Sequence, residues 1–185
     1  HLPDARGYDK AHVYAGGGFY NPKFLPAYKA NANKRLSALL TEMGIDFIKE
    51  NKKEPFFLFI SHYDVHVQLD ADRILIDKYL KKKKDPDYAS NAVYAAMIEH
   101  VDKSVGDLMQ TLEEQGLADN TLFIFCSDNG GVDNRFDNVP LLGGLSKNVY
   151  PEGHPLRYVA TSNAPLRAGK GTLYEGGVRV PLIVR

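Results

Sequence analysis

The sequence has no net charge, a single cysteine and no long hydrophobic run. Its 23 Lys and Arg balance 23 Asp and Glu, so no long-range positive field is available to neutralise phosphates, which argues against a general nucleic-acid binder. The one basic run, Lys81 to Lys84, is short and reads as a solvated loop or helix end. Cys126 stands alone and cannot close an internal disulfide, which leaves the redox compartment undecided. The longest apolar runs, Phe56 to Ile60 and Pro181 to Val184, fall far short of the ~20 residues of a membrane-spanning helix. No basic segment followed by an apolar one opens the chain, so no export signal is read there.

What is present fits a folded unit. The 185 residues are 44% hydrophobic and 25% charged, ordinary values for a globular domain and enough chain for a real core. His1 is not an initiator methionine, and Arg185 directly follows an apolar stretch that reads as a core strand. The expectation is therefore a segment of a longer protein.

Residues 1–30 carry Gly16-Gly17-Gly18 and three prolines without a sustained period, and they read as a loop-rich lead-in. Residues 31–131 read as a helix-strand-helix-strand core. Leu36, Leu40, Met43 and Phe47 recur at helical spacing up to about Glu50. Pro55 then closes the helix, and Phe56 to Ile60 form a continuous apolar run expected of a strand covered on both faces. Val93, Met97, Val101, Val105, Met109 and Leu112 mark a long second helix, with Gly116 placed to cap it in the left-handed conformation. Leu122 to Cys126 repeats the buried-strand pattern. Strand, helix and strand in this order predict an α/β fold with a parallel sheet. Residues 132–165 read as a surface excursion, and 166–185 as a site loop followed by a core strand.

In such sheets ligands gather beyond the carboxyl ends of the strands, and here two strands run straight into polar segments. One is Ser61-His62-Tyr63-Asp64-Val65-His66; the other is Ser127-Asp128-Asn129-Gly130-Gly131. Asp128 and Asn129 offer hard oxygens suited to Ca²⁺ or Mg²⁺, although Asn-Gly is also a common turn signal. His62 and His66 have zinc-ligand spacing only if helical, and they follow a strand instead. A single histidine at a site mouth, able to protonate a leaving oxygen, is the better functional reading; for His62 a hydrogen-bonded loop role is preferred. In a third segment, Ala164 to Thr172, Lys170 sits between Gly169 and Gly171 near Arg167. A phosphate-binding loop would need Gly at 164 and Ser or Thr at 171. A lysine point charge beside an arginine fork still suits a tetrahedral oxyanion, although two solvated basic residues in a turn explain the pattern as well.

Three stretches together, Pro55 to His66, Tyr94 to Asn129 and Thr161 to Arg185, resemble the middle and later part of a type I, formylglycine-dependent sulfatase of the alkaline phosphatase-like superfamily. The last two are highly specific in combination, and Gly7-Tyr8-Asp9 adds weaker support. The resemblance implies an alkaline phosphatase-like sandwich with a mainly parallel sheet flanked by helices, incomplete in this segment. It implies a sulfuric ester hydrolase, acting on a sulfated carbohydrate or related small ester. Asp128 and Asn129 would be ligands of a divalent cation, usually Ca²⁺ with Mg²⁺ as the alternative. Lys170 and His66 would contact the sulfate, with Arg167 a neighbour in the substrate site. The nucleophile of the resembled family is a formylglycine made in a Cys/Ser-x-Pro-x-Arg motif. Cys126 is followed by Ser127 and Asp128, so it does not fit, and it reads as a buried strand residue. In family order the nucleophile lies upstream of residue 1, and the segment alone is expected to be inactive. The alternatives are a phosphodiesterase or phosphonate hydrolase of the same superfamily, or a non-catalytic sulfoglycan-binding homologue; a nucleotide-binding module lacks its fingerprints. A periplasmic or secreted location follows from the resemblance, lysosomal if eukaryotic. The absence of any Asn-x-Ser/Thr acceptor leans towards a bacterial source.

Overall fold

A computed structural model of the chain describes residues 2–28, 34–132 and 139–185. In the lead-in, β1 (Val13–Gly16) and β2 (Lys23–Leu25) pair antiparallel, Tyr14 opposite Phe24, with an irregularity between Tyr14 and Gly16. Three helices follow: α1 (Leu36–Asn51), α2 (Arg73–Lys81) and α3 (Ala92–Glu114), with α3 packed against both of the others. Beyond them lie β3 (Ile124–Cys126), the single-turn α4 (Glu175–Val178) and β4 (Leu182–Val184).

The two long helices form where the apolar period places them, and Leu36 of the first stripe and Val93, Met97 and Leu112 of the second are buried as expected, but the seam between the helices is rotated from those stripes. In α1 the buried residues include Ser37, Thr41, Gly44 and Ile48, and in α3 they include Ser104, Leu108 and Thr111. Small side chains let the helices approach closely. A Cβ on Gly44 would stand 2.7 Å from Ile60 Cδ1 and 2.9 Å from Leu108 Cδ2. Thr41 Oγ1 lies 2.6 Å from Ser104 Oγ across the seam. Below it Ile48, Leu108 and Leu112 form an apolar cluster with Phe56, Leu58, Ile60 and Phe123, each fully buried aliphatic contributing about 1.5–3 kcal/mol. A pattern search counting only apolar residues passes over Ser, Thr and Gly, which is why the stripe was displaced.

The N-terminus of α3 is held unusually well. Asn91 accepts through its side-chain oxygen from the amides of Val93 and Tyr94, and its Nδ2 donates to the carbonyls of Leu156 and Val159. Tyr150 Oη accepts from the Ala92 amide at 2.8 Å. At the other end Gly116 adopts φ +69°, the left-handed cap expected from the sequence. The helix α2 was not anticipated, because only Ile76 of its nine residues is buried.

Two expectations are corrected. The strands were expected to be covered on both faces, whereas Phe57, Phe59, Leu122 and Ile124 are exposed, and Cys126, read as buried, is exposed too. Their alternate neighbours Phe56, Leu58, Ile60 and Phe123 face the helices; helices on one side cover one face of an extended segment. Residues 56–60 are extended without sheet pairing, and β3 pairs antiparallel with β4, Ile124 opposite Val184 and Cys126 opposite Leu182. The excursion at 132–165 is also more than surface. Residues 133–138 lie outside the described chain, but Leu141, Leu142, Tyr150 and Ala160 join the main core with Leu69, Ile76, Val93 and Met97. An isolated parallel bridge joins Leu69 to Leu142. Beside it the Asp70 carboxylate accepts from the amides of Leu145 and Ser146 and from Ser146 Oγ.

Candidate functional site

Backbone contacts assemble the site. The Lys170 amide donates to the Gly131 carbonyl at 2.9 Å, and the Gly130 amide donates to Gly177 O at 3.0 Å. The Gly176 amide donates to the Arg167 carbonyl at 2.9 Å. Asn163 completes the junction by exchanging two hydrogen bonds with Gly131, Nδ2 to the carbonyl and Oδ1 from the amide, both 2.9 Å. The turn after β3, the 161–172 loop and the start of α4 therefore meet main chain to main chain. Side chains would prevent it: a Cβ at Gly176 would collide with the carbonyls of Arg167 and Ala168, and one at Gly130 with the Gly176 carbonyl.

This junction brings together Asp128, Asn129, Arg167 and Lys170. Ser127 Oγ donates to the Asn129 carbonyl at 2.9 Å, fixing the turn. Asp128 is exposed, while Asn129 Oδ1 is buried without a hydrogen-bond partner. A buried acceptor left unsatisfied costs about 1–3 kcal/mol, and a hard cation would satisfy it. An exposed carboxylate next to an orphaned carboxamide oxygen thus fits part of an oxygen-ligated divalent site. Among the described residues no group of three or more His, Cys, Asp and Glu is poised to hold a metal, so Asp128 and Asn129 would be only part of the ligand set. Arg167 lies over the Tyr174 ring, its guanidinium carbon 3.8 Å from the centroid, which fixes the fork by cation–π contact.

The two histidines separate. His66 is exposed, its amide bonded to the Tyr63 carbonyl and its Nδ1 2.6 Å from the Val67 carbonyl. A carbonyl only accepts, so Nδ1 carries the proton of this contact and Nε2 is the other ring nitrogen. His62 turns inward, its Nε2 3.1 Å from Ser104 Oγ, in line with the loop-histidine reading. Burial lowers its pKa to about 4, and its Nδ1 is buried without a partner. The folded state therefore excludes the proton that the unfolded chain binds below its ordinary pKa of 6.5. Stability should be complete above that value and fall as the pH drops towards about 4, by roughly 3 kcal/mol in all. Urea unfolding between pH 7 and pH 4 would measure it; a His62→Gln variant with the same acid loss would refute the assignment to His62.

The sequence reading missed Asn163 and Tyr174. The paired glycines at 130–131 and 176–177 were the available signal, because two Gly-Gly pairs near charged residues suggest that two backbones approach each other.

The comparisons with known proteins agree with this architecture. The solved structure of Ps i-CgsB in complex with k-i-k-neocarrahexaose matches with a TM-score of 0.73 and 27% identity, covering 100% of this chain and 41% of that one. The fold is that of the alkaline phosphatase-like sulfatases, here as a partial α/β segment. The sulfatase family model matches residues 4–185, and the chain belongs to the sulfatase family. A sulfatase of Formosa agariphila is 36% identical over 162 residues, covering 82% of this chain and 25% of that protein. The N-acetylgalactosamine-6-O-sulfatase of Bacteroides thetaiotaomicron is 31% identical over 156 residues, covering 81% and 25%. The chain thus spans about a quarter of the length of these relatives.

Proposed function

We propose that the chain is part of a sulfuric ester hydrolase acting on a sulfated carbohydrate. The observation that carries this reading is the junction itself, in which the Lys170 amide on the Gly131 carbonyl holds a lysine beside the Asp128-Asn129 turn. Lys170 binds the sulfate as a point charge, with Arg167 flanking it. His66 binds the sulfate through Nε2 and, as the imidazolium, donates a proton to the leaving oxygen. Asp128 and Asn129 would hold a divalent cation, Ca²⁺ in the first instance and Mg²⁺ in the second. When bound, that cation supplies positive charge against the oxygens of the transferring group. The sugar preference is supported by the likeness to the N-acetylgalactosamine-6-O-sulfatase and to the carrageenan-oligosaccharide complex. The nucleophile, a formylglycine by resemblance, lies outside these 185 residues. The full-length protein is periplasmic or secreted.

The full-length protein should hydrolyse 4-methylumbelliferyl sulfate, and residues 1–185 alone should not; turnover by the isolated segment would sink the placement of the nucleophile. The metal assignment has its own readout. Ca²⁺ added after chelation should raise the thermal midpoint of the full-length protein, and Asp128→Ala should diminish that rise. An undiminished shift in the variant would remove Asp128 from the ligand set.

A further inference from the structure

A cleft of about 430 Å³ opens between the 85–89 segment and the 159–168 segment, within the roughly 300–1,000 Å³ range of small-molecule sites. Its walls include Asp87, Ala89, Thr161, Ser162, Leu166 and Ala168. The second wall is continuous with the site. Asn163 lies in it and is bonded to Gly131, while Ala168 stands two residues before Lys170. The first wall leads directly into Asn91, the cap of α3, whose Nδ2 holds the carbonyls of Leu156 and Val159. Both walls are thus tied to one helix end.

Resting on the sulfatase reading above, we infer that this cleft is a saccharide subsite, holding the sugar unit next to the one whose sulfate lies at Lys170. The lining matches a pyranose ring. Ala89, Leu166 and Ala168 give an aliphatic surface for the C–H face of the ring; Ser162, whose oxygen accepts from the Ala164 amide at 3.2 Å, can still donate its hydroxyl proton, while Thr161 is engaged with Tyr94. Asp87 is exposed and can accept hydrogen bonds from neighbouring ring hydroxyls through both carboxylate oxygens. The same carboxylate repels an anion. The unit in the cleft is therefore a neutral, hydroxyl-bearing sugar, and the sulfated unit is directed to the basic side of the loop. Asn163 is committed to Gly131 through both ends of its carboxamide, so it shapes the wall rather than reading the sugar.

The test compares substrates with and without a sugar beyond the reacting sulfate. In the full-length protein, Asp87→Ala and the cleft-filling Ser162→Trp are assayed on 4-methylumbelliferyl sulfate, a κ-carrageenan hexasaccharide and 6-sulfo-N-acetyllactosamine, in both of which the unit beside the sulfated one is neutral. The expected result is a loss of about tenfold in kcat/KM on the cleaved oligosaccharide, carried by KM, with aryl sulfate turnover unchanged. Unchanged oligosaccharide kinetics in both variants would overturn the subsite. So would an equal loss on the aryl sulfate, which marks a structural defect, or aryl sulfate turnover by the unaltered protein with neither oligosaccharide cleaved. Failure of the unaltered protein on all three substrates overturns the sulfatase reading and the subsite together.

Discussion

Replacing Asp64 with alanine should lower the unfolding free energy by about 3–5 kcal/mol, a large share of the roughly 5–15 kcal/mol that holds a native domain together. Asp64 forms an ion pair with Arg35, their side chains 1% and 3% exposed. Burial pushes the Asp64 carboxyl above its ordinary value, and the Arg35 charge opposes that shift. The pair is therefore a poor source of net stability, since desolvation offsets much of the attraction. Removing one partner is a different matter, because Arg35 would then be left charged and buried. The guanidinium lies 4.5 Å from the Phe19 ring centroid, and its Nη1 donates to Tyr20 Oη, which in turn donates to Asp72 Oδ1 at 2.8 Å. One side chain thus links the lead-in, the start of α1, the loop carrying His66 and the N-terminus of α2. Urea unfolding followed by circular dichroism measures the loss. A double Arg35→Met/Asp64→Leu variant should lose much less, and an equal loss in both would show that packing, not the orphaned charge, sets the cost.

Lys170→Ala should lower kcat of the full-length protein on 4-methylumbelliferyl sulfate by about 10²–10³-fold, the range for removing one group that stabilises developing negative charge. The expected separation from stability is the sharper part. Lys170 holds the Gly131 carbonyl through its main-chain amide, beside the Asn163 carboxamide, and alanine keeps that amide. The thermal midpoint should therefore stay near that of the unaltered protein. Gly176→Ala should do the opposite and lose stability and activity together, because its Cβ would enter the space of the Arg167 and Ala168 carbonyls. A Lys170→Ala protein that keeps its activity would remove the lysine from the site, whatever the fold does.

Particular residues show how far the sequence could be read. Gly116 capped α3 as expected, since a glycine after a long apolar period has few other uses. The meeting of the turn after β3 with the Lys170 loop could only be suspected, because local pattern does not say which loops touch. The rotated seam between α1 and α3 was hidden because Ser37, Thr41 and Ser104 carry no apolar signal yet are buried as a hydrogen-bonded group. Asn163 was passed over because an asparagine before Ala-Pro looks like an ordinary turn residue.

What the composition lacks follows the same division. Balanced charge, one cysteine with the wrong followers and no long apolar run were decided by the chain itself, since they depend only on which residues are present. The helices α1 and α3 were nearly so, because a 3.6-residue period is a local property. Three features belonged to the tertiary structure: the exposure of Cys126, the inward turn of His62 and the orphaned oxygen of Asn129. Each depends on which surfaces come together across long stretches of chain, and burial exists only once they have met.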